Sequence, residues 1–74
     1  LRIKQLQKIE SILNIRGIVK QAETHRTKRY PDEPSITQRK IYHKLEYGTD
    51  LTVTEAVCIR AVLEQIVDQM EEIR

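Results

Sequence analysis

Two clusters of cations carry the chemistry that this chain's residue types and spacing suggest. Arg26, Lys28 and Arg29 form the first, and Arg39, Lys40, His43 and Lys44 form the second, along one helical segment. Duplex DNA presents regular rows of phosphates, and binding it takes several Lys or Arg side chains held on one surface. Reading bases takes polar side chains near the N-terminus of a helix that enters the major groove, and Thr37, Gln38 and Arg39 stand at such a start. The candidate DNA-binding set is therefore Arg26, Lys28, Arg29, Thr37, Gln38, Arg39, Lys40, His43 and Lys44. The same charges suit an acidic protein surface, so an oligomeric helical adaptor, or an inhibitor docking on an acidic partner, is the alternative.

Catalysis is not expected. The chain holds two histidines and one cysteine, with no Gly-rich loop and no pair of carboxylates expected to converge in a cleft. His25, His43 and Cys58 lack close ligand spacing such as Cys-x-x-Cys or His-x-x-x-His, so neither a metal nor a cofactor is expected. Cys58 falls inside a helical segment, where a small semi-buried apolar role outweighs a reactive thiol.

The 74 residues make one domain (1–74) with a modest core, because short chains bury a smaller fraction of their surface. With 39% hydrophobic and 32% charged residues the composition is that of a folded, water-exposed chain rather than a disordered tail. No apolar stretch approaches the roughly 20 residues that cross a bilayer, and no signal-peptide pattern is read. A single cysteine cannot form an internal disulfide, which fits a reducing compartment, and a cytoplasmic protein is expected. Opening on Leu1 rather than Met, the chain is expected to be a trimmed form or a piece of something larger. Charge is unevenly divided: residues 1–50 carry eleven Lys/Arg against six Asp/Glu, and residues 51–74 carry two against five.

Hydrophobic spacing supplies the elements. Ala56, Ile59, Leu63, Ile66, Met70 and Ile73 recur at alternating intervals of three and four, one stripe of an amphipathic helix, with Val57, Val62 and Val67 widening it. Thr52 and Glu55 have the form of a capping box, so this helix spans about 53–73. A shorter helix is expected at 36–47, with a capping signal at Ser35 and Gln38 and with Gly48 at its C-terminus. Its Gln38, Ile41, Tyr42 and Leu45 would dock, leaving Ile36 and Tyr47 with the cations on the other side. In the first segment Ile3, Leu6, Ile9 and Leu13 share one face, while Ile12, Ile15, Ile18, Val19 and Ala22 centre on the opposite one. The switch falls just before Gly17; one long helix at about 2–24 is preferred over two helices divided at that glycine. Residues 25–34, with two prolines among the charges, read as a loop. Tyr30, Tyr42 and Tyr47, the chain's three aromatics, are expected to help close the core.

From Ser35 to Leu63 the chain resembles the second half of a phage Cro/repressor-type helix-turn-helix domain. Glu46-Tyr47-Gly48 matches the Glu-x-Gly signature that ends the recognition helix, and Thr52 to Ala56 matches the Thr-x-x-Glu-Ala that opens the next. The resemblance implies that 36–47 is the recognition helix, with Thr37, Gln38, Arg39 and Lys40 nearest the bases and His43 and Lys44 nearer the backbone. Ahead of it, where the family has a first motif helix and a tight turn, the chain carries the two-proline loop.

The expected protein is an all-α three-helix domain, long, short and long, that regulates transcription by binding double-stranded DNA. A homodimer is expected because the apolar faces exceed what three short-chain helices hide, with Ile59, Leu63, Ile66, Met70 and Ile73 as its interface.

Overall fold

The computed structural model describes the chain through Glu72, and its side chains through Met70. Among these residues four helices carry the regular structure: α1 (Ile3–Glu10), α2 (Ile15–Arg29), α3 (Gln38–Tyr47) and α4 (Val53–Glu72). The all-α class agrees with the hydrophobic spacing, whereas the three-helix layout does not, because the segment expected as one helix at 2–24 is two.

The break falls at residues 11–14, and Gly17 lies inside α2. Ser11 Oγ donates to the Lys8 carbonyl at 2.6 Å, and the Ile12 and Leu13 N–H groups both donate to the Ile9 carbonyl, at 2.9 and 2.8 Å, which ends α1 in a tight turn. Asn14 then accepts the Arg16 N–H at 3.0 Å and caps α2, satisfying a donor that the first helical turn leaves free. The break explains why the apolar stripe changes side. Ile3 and Leu6 on α1, and Ile15, Ile18, Val19 and Ala22 on α2, are buried in the same core, reached from two helix axes. Ile12 and Leu13, in the link, are exposed.

α2 continues through Arg29, so residues 25–29, expected in the loop, are its last turn and a half. Thr37, not Ser35, caps α3 by accepting the Lys40 N–H at 3.3 Å. Ile36, expected on the outer side, is buried, and with Ile41 it occupies the two positions of a hydrophobic staple. At the other end Gly48 adopts the left-handed conformation, φ 69°, and its N–H and that of Thr49 both return to the Lys44 carbonyl. Only glycine takes this conformation without penalty, and open space surrounds its missing Cβ. Gly48→Ala should therefore cost about 1 kcal/mol by conformation alone, read as a lower urea midpoint with unchanged slope.

The capping box at the start of α4 is formed: the Thr52 N–H donates to Glu55 Oε1 at 2.8 Å, and the Glu55 N–H donates to Thr52 Oγ1 at 3.2 Å. α2 packs along α4 and against α3, while α1 packs against α3. Gln7 Nε2 donates to the Leu45 carbonyl at 2.9 Å, and Asp50 accepts the Ile3 N–H at 3.3 Å, fastening α1 to the end of α3.

Leu6, Val19, Ile41, Cys58 and Ile59 are the largest fully buried side chains. Small aliphatic groups close this core, and the three tyrosines expected to do so are all exposed. α4 presents Glu55, Cys58, Ile59 and Val62 inward, a face turned by about one residue from the expected stripe. Ile59, expected at a dimer contact, is completely buried within its own chain. Leu63 and Ile66 are half-buried against the core and Met70 is exposed, while Ile73 lies outside the described residues. Burial pushes the Cys58 thiol up from its ordinary pKa, opposed by the Arg26 guanidinium and reinforced by Glu23. Among the described residues no helix is long and apolar enough to cross a membrane.

Candidate nucleic-acid interface

α3 divides into a docked and an open side. Ile41 and Leu45 anchor it to the core, and Arg39, Tyr42, His43 and Tyr47 are exposed. Thr37, Arg39, Lys40, His43 and Lys44 line one open groove of about 450 Å³, completed by Thr49 just beyond the helix. Five of the nine candidate DNA-binding residues thus share a surface, because the spacing 39, 40, 43 and 44 returns to one side of a helix.

Within the groove each cation is held differently. Lys40 Nζ donates to the Ser35 carbonyl at 3.3 Å, so its ammonium lies back over the N-terminal end of α3. Lys44 pairs with Glu55, tying α3 to the first turn of α4, and only part of its charge faces outward. His43 lies against Tyr47, ring centroids 4.7 Å apart and planes tilted by 48°. Arg39 is exposed and extends without a partner among the described ion pairs, which leaves its guanidinium available to an incoming anion.

The first cationic cluster does not join them. Arg26 is buried, with 8% of its surface exposed. Its guanidinium pairs with Glu23 and donates to the carbonyls of Glu33 at 2.7 Å and Tyr30 at 3.3 Å. Glu23 in turn accepts the Ile36 N–H at 2.6 Å. The Arg26–Glu23 pair therefore closes the connection 30–37 onto α2, and Arg26 leaves the DNA-binding set as a structural residue. The expectation of a solvent-facing charge rests on 25–34 being a loop, and α2 instead runs through Arg29. Lys28 lines a separate polar hollow with Gln21, Thr24, His25, Val62 and Gln65, between α2 and α4. Arg29 is exposed at the C-terminus of α2, about 20 Å along that helix from its first turn.

One residue outside the expected set joins the surface. Arg16, in the first turn of α2, donates through Nε to Gln38 Oε1 at 3.2 Å, so the N-terminal turns of α2 and α3 meet at a polar, solvent-facing joint. Reading 2–24 as one helix hides this, because it buries the N-terminus of α2 in mid-helix. The sequence signal was Asn14, a strong capping residue placed two positions ahead.

Among the described residues, no three His, Cys, Asp or Glu side chains converge as a metal site. No protein-family model, curated protein or solved structure matches the chain.

Proposed function

We propose that this chain is a small DNA-binding transcriptional regulator that works as a homodimer and lays the open side of α3 on duplex DNA. The observation that carries the reading is the groove in which Arg39, Lys40, His43 and Lys44 gather beside Thr37. Arg39 and Lys40, which the resemblance puts nearest the bases, would also reach the phosphates beside them, and Gln38, braced by Arg16, stands at the end of α3 that would enter the major groove. The resemblance of residues 35–63 to Cro/repressor-type domains supports the same assignment of α3. α2 packs against α3, as the two helices of such a motif do, although an eight-residue connection (30–37) replaces the tight turn.

Fluorescence anisotropy with random-sequence duplex DNA at two salt concentrations tests this. The expected result is binding that weakens steeply with salt, and a loss on the order of tenfold in the Arg39→Ala/Lys40→Ala variant, whose circular dichroism is unchanged. Each lost phosphate contact should also lower the salt slope by about 1. Absence of binding at low salt would overturn the reading and leave the groove to an acidic protein partner. Binding indifferent to both substitutions would remove α3 as its surface.

A further inference from the structure

The outward side of α4 is self-complementary. Val57, Arg60, Glu64 and Val67 follow one another at intervals of four or three, so they lie in one narrow sector opposite Cys58, Ile59 and Val62, which face the core. All four are exposed, the valines by 41% and 53%. Arg60 Nε reaches Glu64 Oε1 at 3.1 Å within the helix, but both side chains remain two-thirds exposed. The order along the stripe is apolar, cation, anion, apolar, and it is symmetric about residue 62.

We infer that this stripe is an interface with a second copy of the chain, with the two α4 helices antiparallel about a twofold axis at the level of residue 62. In that register Val57 of one copy meets Val67 of the other, and Arg60 meets Glu64, each pair twice. The intervals are those of a coiled-coil seam, and antiparallel pairing matches its two kinds of position with one another. A parallel, in-register pair would set Arg60 against Arg60 and Glu64 against Glu64, so the charges select the direction. Leu63, half-buried beside the stripe, lines with Arg60, Glu64, Val67 and Asp68 a groove of about 240 Å³ that a side chain of the second copy can fill. The inference rests on the homodimer proposed above, not on DNA binding. It replaces Ile59, which the core consumes, with the opposite side of the same helix.

Sedimentation equilibrium over a concentration series tests it on the intact chain. The wild type is expected to dimerise. Arg60→Glu alone, or Glu64→Arg alone, should weaken the dimer on the order of tenfold or more by placing like charges together, and the combined Arg60→Glu/Glu64→Arg variant should restore it. Circular dichroism should show all three folded, since the side chains are exposed. Mixing Val57→Cys with Val67→Cys protein under mild oxidation should give a disulfide between unlike copies, and neither variant alone should cross-link to itself readily. A wild type that is monomeric throughout would overturn the homodimer itself. A dimer that tolerates both single reversals, or cross-links Val57→Cys to its own kind, would keep the homodimer and overturn this seam.

Discussion

Arg26→Ala is expected to cost about 3 kcal/mol, a large part of the stability of a chain this size, because it strands a partly buried carboxylate and several carbonyls at once. The guanidinium bonds Glu23, Tyr30 and Glu33, and no smaller side chain spans them. Arg26→Lys should recover only a minor share, since one ammonium cannot face the carboxylate and the two carbonyls in the same fork. Urea denaturation followed by circular dichroism measures both. DNA affinity of the folded Arg26→Lys protein should also match that of the wild type. A loss below about 0.5 kcal/mol in Arg26→Ala would mean that the connection 30–37 is not held by this network. A normal stability with lost DNA binding would return Arg26 to the interface.

Ile59→Ala should destabilise by about 3 kcal/mol, within the range for removing a branched aliphatic side chain from a core that cannot fully collapse. Ile59 has no exposed surface and packs among Cys58, Val62 and the residues of the other helices. A core residue acts within one chain, so the loss in urea midpoint should persist at concentrations where the protein is monomeric. An interface residue would lose stability only where copies associate. Val67→Ala, on the opposite side of α4, should behave in the second way, with little effect on the monomer. If Ile59→Ala affects only the associated form, the inward face of α4 is misplaced.

Local chemistry made much of the candidate site legible. Gly48, the left-handed residue that ends α3, agrees with its local signal, whereas the cap at the other end is Thr37 and not the expected Ser35. The gathering of Arg39, Lys40, His43 and Lys44 follows from helical period alone. The capping box of Thr52 and Glu55 is equally local, and so the start of α4 agrees with its signal. The cap at Asn14 is equally local, yet the reading of 2–24 as one helix, with Gly17 as its only candidate break, does not use it. Arg26 pairs locally with Glu23, three residues back on α2, but its burial has no local signal. In a charged segment that also holds Pro31 and Pro34, Arg26 has the surroundings of a solvated loop residue, and the fold of 30–37 back over α2 brings the carbonyls of Tyr30 and Glu33 to it.

The boundary between the two kinds of information runs along α4. Its existence, its start and its amphipathic character are written in residue spacing, because those depend on hydrogen bonds and side chains within one or two turns. Which of its faces is inward is not, since Ala56, Ile59, Leu63 and Ile66 and the alternative set Cys58, Ile59, Val62 and Ile66 differ by only a small rotation about the helix axis. Packing of α2 selects between them, placing Cys58, Ile59 and Val62 inside and leaving Val57 and Val67 out. Apolar spacing counts the side chains available for burial, but the shape of the neighbouring helix chooses among them. The same holds for the cations: pattern placed four on α3, while the contacts of α2, α4 and the connection 30–37 set which charges are paired and which remain open.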